Sequence, residues 1–176
     1  DYILGRVRKG NLKNKIKSFT SKIPLIVIGN LTIGGTGKTP LVKYIAKELM
    51  AKGYKPGIVS RGYGGQFKKT LKVTVETSVK ETGDEAQILS KLGIPFYIDK
   101  NRVRAVKELL KNNDCDVILS DDGLQHYKMG RNIEIAVIDG KRRFGNNLTF
   151  PAGPLRESKN RLKTVDFVVN NSGPTY

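Results

Sequence analysis

An α/β fold, with a mostly parallel sheet and helices on both faces, is predicted by three features of this 176-residue sequence. Short β-rich apolar runs alternate with segments of helical periodicity, a glycine-rich loop joins the first run to the first helix, and a later run ends in two aspartates. Alternation of this kind places helices over a parallel sheet, with sites at the carboxyl ends of the strands. Leu25 to Gly29 reads as a buried strand. From Lys38 to Lys52, Leu41, Val42, Ile45, Ala46, Leu49 and Met50 recur at helical spacing until Gly53 ends the pattern. Gly57 to Ser60 reads as a second strand, followed by a mobile loop at Gly62, Gly64 and Gly65. Leu71, Val73 and Val75 alternate with polar residues as in a half-exposed strand or hairpin arm. Asp84 to Leu92 and Val103 to Leu110 read as helices, and Pro95 to Ile98 as extended. Asp116 to Ser120, Ile133 to Ile138 and Asp166 to Val169 read as the remaining strands.

Composition narrows the chemistry. Hydrophobic residues at 38% and charged residues at 27% describe a folded chain with a wet surface. The single cysteine, Cys115, excludes a disulfide framework and a cysteine metal cluster, and the single histidine, His126, excludes a histidine-rich metal site. No apolar stretch approaches the ~18–20 residues of a membrane span, and no signal peptide opens the chain. The expectation is a protein that is neither secreted nor membrane-spanning.

Thirty-two Lys and Arg against 16 Asp and Glu give a net charge of +16, which attracts polyanions. The first 22 residues hold seven basic side chains against Asp1 alone, a net of +6. They are read as a basic leader, 1–22, able to lie on a membrane surface, ahead of a core spanning 23–176. Nothing resembles a nucleic-acid-binding motif. No nucleic-acid partner is expected, and no obligate protein partner is inferred.

The strongest chemical signal runs from Gly29 to Thr39 (Gly-Asn-Leu-Thr-Ile-Gly-Gly-Thr-Gly-Lys-Thr), between a strand and a helix. This is the context of a phosphate-binding loop, and it makes the fold P-loop NTPase-like. Gly34, Gly35 and Gly37 let backbone N–H groups approach phosphate oxygens, and Thr32, Ile33 and Thr36 complete the cradle. Lys38 supplies charge for the β- and γ-phosphates, and the Thr39 hydroxyl suits Mg²⁺. Thr32 stands where the strict Gly-x₄-Gly-Lys-Thr pattern has its first glycine. Asp121 and Asp122 follow the apolar run Val117 to Ser120, as expected of a Walker-B strand holding Mg²⁺. Asp84 and Glu85 begin a predicted helix, where position alone favours a capping role.

With these residues in view, the chain resembles the tetraacyldisaccharide 4'-kinase (lipid A 4'-kinase) family. The matching stretches are Val27 to Pro40, Ser60-Arg61-Gly62-Tyr63, Gly83-Asp84-Glu85, Asp121 to His126, and Pro151 to Glu157. The resemblance implies a phosphotransferase that uses ATP and Mg²⁺ to phosphorylate the 4'-hydroxyl of a tetraacyldisaccharide 1-phosphate. It would act at the cytoplasmic face of the bacterial inner membrane, in lipid A biosynthesis, against an anionic membrane surface. The resemblance also implies roles: Asp84 as catalytic base, Glu85 with Asp121 and Asp122 around Mg²⁺, and Arg156 approaching the ATP phosphates. Arg61 and Arg102 are candidates to meet the acceptor phosphate, and His126 to orient a carboxylate or the nucleotide. Members of the family are about twice as long, with a C-terminal lobe that covers the nucleotide and supplies a histidine partner to the base. The chain therefore reads as the N-terminal P-loop lobe, expected to bind ATP and to transfer poorly alone. Other readings of the loop are an ATPase with a conformational output or a basic nucleic-acid-binding module.

Overall fold

The computed structural model describes residues 2–6 and 18–172. Eight strands form one sheet: β1 (Tyr2–Arg6), β2 (Leu25–Gly29), β3 (Pro56–Ser60), β4 (Leu71–Lys72), β5 (Phe96–Ile98), β6 (Val117–Asp121), β7 (Ile133–Asp139) and β8 (Phe167–Asn171). Their spatial order is β1-β8-β7-β2-β6-β3-β5-β4. The six inner strands are parallel, and β1 and β4 close the two edges antiparallel. The connecting helices are α1 (Lys38–Ala51), α2 (Val79–Thr82), α3 (Asp84–Ser90) and α4 (Arg102–Asn112), with a 3₁₀ turn at Lys159–Thr164.

Apolar side chains point to both faces of the sheet, which is why its strands read as runs rather than strict alternations. Ile28, Ile58, Phe96, Ile98, Leu119, Ile135 and Val137 pack under Leu41, Val42 and Ala46 of α1 and Leu89 of α3. Leu25, Val27, Val59, Tyr97, Ile118 and Ala136 face Ala105, Val106 and Leu109 of α4. This double covering fixes the sheet and leaves its carboxyl edge open between the two helical layers.

The structure departs from the sequence expectations in three places. The alternating run at Leu71 to Val75 is a strand for two residues only. Val73 N–H still reaches the Phe96 carbonyl, but Thr74 and Thr77 then close a turn and Val75 is exposed. The Gly62 to Gly65 segment is not a free loop: Gly65 N–H bonds the Gly62 carbonyl, and Gln66 N–H bonds the Lys80 carbonyl on α2. That short helix has no apolar periodicity to announce it and starts on a Ser78 cap. Residues 2–6, grouped in the sequence with the basic leader, form β1, whereas residues 7–17 of the leader lie outside the described residues. No helix among the described residues is long and apolar enough to cross a membrane.

Candidate nucleotide and phosphoryl-transfer site

The glycine-rich loop leaves β2 and enters α1 through Gly37, whose φ of 86° is left-handed and favours glycine. A side chain there would also strike Asn171. No side chain caps α1 and no acidic residue sits in its first turn, so its first N–H groups are free to meet an anion. Gly34 is also left-handed, at 99°. Thr32 needs no such freedom, because it lies in an isolated antiparallel bridge with Leu155. That bridge explains the departure from the strict glycine pattern.

The bridge belongs to a longer seam between the loop and residues 154–156. Ile33 N–H donates to the Pro154 carbonyl at 2.8 Å, and Arg156 N–H to the Leu31 carbonyl at 2.6 Å. The loop is braced from within by Asn30 Nδ2 on the Gly34 carbonyl. Gln125 Nε2 holds the Asn30 carbonyl, Arg142 the Ile33 carbonyl and Asn171 the Thr36 carbonyl. Gln125 sits inside a motif recognisable in the sequence. Arg142 and Asn171 carry no local signal, since only strand order brings them beside the loop.

The parallel register of β2 with β6 sets Ile28 against Asp121 and so delivers both aspartates to the loop. Asp121 is buried and accepts from Thr39 Oγ1 at 3.3 Å through Oδ2, while its Oδ1 is buried with no hydrogen-bond partner. Burial, helped by the charges of Glu85 and Asp122 and opposed by Lys38, pushes the Asp121 carboxyl up to about 7. A buried carboxylate with one orphaned oxygen beside the P-loop threonine fits a hard cation with oxygen ligands. Mg²⁺ would be held by Thr39 and Asp121.

Asp122 occupies a left-handed conformation, with φ of 49°. Such a backbone in a residue other than glycine is uncommon and concentrates at functional sites. Its carboxylate meets Lys38 Nζ at 3.5 Å and Arg156 at 3.0 Å. Burial alone would raise its pKa, but Lys38 and Arg156 outweigh burial and hold it below the usual range. Arg102, 6% exposed on the first turn of α4, donates to the Asp122 carbonyl at 2.8 Å. Burial, with Arg61 and Arg156 nearby, lowers its guanidinium to about 10, still cationic at neutral pH.

Arg61, Arg102, His126 and Arg156, scattered over 96 positions of sequence, line one cavity of about 350 Å³ together with Lys100, Asp122 and Gln125. His126 Nε2 is buried with no hydrogen-bond partner, and burial followed by the Arg102 and Arg131 charges depresses the imidazole to about 4. Asp84 and Glu85 stand exposed on the first turn of α3. The helix is capped by Gly83, not by Asp84, and no side chain makes a cap hydrogen bond there. The N-cap role that position suggested for Asp84 is therefore not the one it plays. A side chain on Gly83 would meet the Tyr63 carbonyl, so the Ser60 to Tyr63 and Gly83 to Glu85 stretches pack together. Glu85 is close enough for its charge to act on Asp121. Among the described residues, the Asp84 side chain makes no hydrogen bond or ion pair.

A family model described as Tetraacyldisaccharide-1-P 4'-kinase matches residues 2–175. The chain belongs to this family. Curated relatives named tetraacyldisaccharide 4'-kinase include one from Shewanella frigidimarina, 52% identical over 86% of this chain and 46% of its own. Another, from Ruthia magnifica, is 52% identical over 90% of this chain and 50% of its own. A third, from Methylobacillus flagellatus, is 46% identical over 98% of this chain and 52% of its own. The chain thus spans about half the length of the curated relatives it matches. Among solved structures, it is similar to the "apo" form of LpxK from Aquifex aeolicus in complex with ATP. That match has a TM-score of 0.77 and 32% identity, covering 86% of this chain and 49% of that one. The α/β fold with a mostly parallel sheet is therefore one that the 4'-kinase family shares.

Proposed function

We propose that the protein transfers the γ-phosphate of ATP to the 4'-hydroxyl of a tetraacyldisaccharide 1-phosphate, in lipid A biosynthesis. The observation that carries this reading is the meeting of Lys38, Asp122 and Arg156 beside the open N-terminus of α1, in a chain of the 4'-kinase family. ATP as donor is supported by the ATP named with the similar Aquifex aeolicus structure. Residues 32–39 would hold the triphosphate through backbone N–H groups and Lys38. Thr39 and Asp121, with Glu85 and Asp122 near them, would hold Mg²⁺, which neutralises phosphate charge when bound.

Each side chain then has a defined task. Arg156, released from Asp122 by competing phosphate oxygens, stabilises charge on the transferring group. Asp84 removes the proton of the acceptor hydroxyl; its exposed, unpaired carboxylate leaves it free to do so. Arg61 and Arg102, with Lys100, make the cavity cationic and suited to the acceptor's phosphate, and neutral His126 borders it without adding charge. The reaction belongs at the cytoplasmic face of the bacterial inner membrane. The +16 charge supports that location, since each Lys or Arg close to anionic headgroups contributes about 1 kcal/mol.

The test is position-specific. Full-length protein is incubated with Mg-ATP and tetraacyldisaccharide 1-phosphate, and the lipid is fragmented by mass spectrometry. A new phosphate ester on the 4' oxygen is expected; an unmodified lipid, or a phosphate elsewhere, contradicts the assignment.

A further inference from the structure

A second ionic network makes, among the described residues, no hydrogen bond or ion pair with the phosphate loop. Glu134, on β7, is 7% exposed, and both its oxygens are used. Arg131 donates to Oε1 at 2.8 Å, and Arg161 donates to both Oε1 and Oε2. Arg161 also donates to the Tyr127 hydroxyl at 3.3 Å, and that hydroxyl donates to Glu157. The two guanidiniums each lie over the Tyr127 ring, 5.5 and 5.7 Å from its centroid. Two arginines and two glutamates leave the network internally neutral.

Withdrawing four charges largely from water, Glu134 buried and the other three half-buried, is seldom the most stabilising solution, and an apolar replacement of equal volume often does as well. Where the network reaches supplies another reason for it. Arg131 donates to the Leu124 carbonyl at 2.9 Å and to the His126 carbonyl at 2.6 Å, fixing the turn that follows Asp121 and Asp122. At its other end, Glu157 is the chain neighbour of Arg156. The two partners that meet across the cavity, Asp122 and Arg156, are therefore tethered to one rigid body through separate segments.

We propose that Tyr127, Glu134, Glu157 and Arg161 are positioning residues that hold Arg156 and the Asp122–His126 turn in register for phosphoryl transfer. The inference rests on the kinase reading above. Tyr127→Phe removes the hydroxyl that bridges Glu157 and Arg161, leaving their direct ion pair at 3.7 Å and the Glu134 pairs in place, so the variant should fold. Glu157→Ala removes both the bond from the Tyr127 hydroxyl and the direct ion pair with Arg161.

The experiment is a double-mutant cycle in the full-length protein, measuring lipid phosphorylation and the melting temperature of each variant. Tyr127→Phe should lower kcat about tenfold, leave the KM for ATP within about twofold, and do almost nothing further in an Arg156→Ala background. Glu157→Ala should behave the same way. An equal fold loss with and without Arg156, or a loss that follows the melting temperature, overturns the positioning role. If the wild type transfers nothing to lipid, the kinase reading fails instead, and the same cycle read on the ATP hydrolysis rate still decides the positioning claim.

Discussion

The Arg156 guanidinium donates to both carboxylate oxygens of Asp122, at 3.0 and 3.2 Å, across 34 positions of sequence. Lys38 approaches the same carboxylate at 3.5 Å. Asp122 thus balances the two cations best placed to meet a triphosphate, and incoming phosphate oxygens would compete with it for both. The pairing keeps Arg156 at the site in the absence of nucleotide, at the cost of an exchange of partners on binding.

Lys38→Ala should weaken Mg-ATP binding and abolish transfer, because a nearly buried point charge beside the phosphates is lost. Isothermal calorimetry checks this directly. Unchanged ATP affinity would contradict the phosphate-loop assignment.

Asp84→Asn should lower turnover by about 10²–10⁴-fold, the usual worth of a general base, with ATP affinity nearly intact. Since Gly83 and not Asp84 caps α3, the melting temperature should move little. A stability loss of about 1 kcal/mol with near-normal turnover would instead describe a cap.

Asp121→Asn should stabilise the nucleotide-free protein at pH 8 by about 1–3 kcal/mol, because a buried negative charge is removed, while weakening the Mg²⁺ dependence of ATP binding. The sign follows from linkage. With a folded pKa near 7 against an ordinary value of 3.8, the wild type binds the extra proton between those values and loses stability as pH rises through that window. Denaturation curves for both proteins from pH 4 to 8 should therefore diverge upward, and a constant gap would contradict the buried-charge account.

His126 predicts the opposite slope. Its folded pKa near 4 lies below the ordinary 6.5, so the unfolded chain takes up a proton first as pH falls through that window. The wild type should lose stability from pH 6.5 towards 4 faster than His126→Gln. Parallel curves for the two would mean that the imidazole is solvated.

Much of this site is legible in the sequence because its parts are local. The loop from Gly29 to Thr39 and the apolar run ending at Asp121 each carry their geometry in a few consecutive residues. The convergence of Arg61, Arg102, His126 and Arg156 is not local and comes from strand order, which places β6 between β2 and β3. The same holds for Asn171 and Arg142, whose grip on the loop depends on β8 and β7 lying on its other side. Capping chemistry misleads at Asp84, because Gly83 with φ of 83° takes the terminal position. Position fails in the other direction at Val73 to Val75, where a threonine turn ends a strand that alternation would have continued.

The central claim is that ATP turnover at this site is committed to a lipid hydroxyl rather than to water. Its most direct test follows γ-labelled ATP in the full-length protein and measures the label in lipid and in inorganic phosphate over the same time course. The account predicts that nearly all consumed label appears in the 4'-phosphorylated product of tetraacyldisaccharide 1-phosphate, that consumption stops when the lipid is withheld, and that Asp84→Asn suppresses both. Label accumulating as inorganic phosphate at the same rate with and without lipid would contradict it.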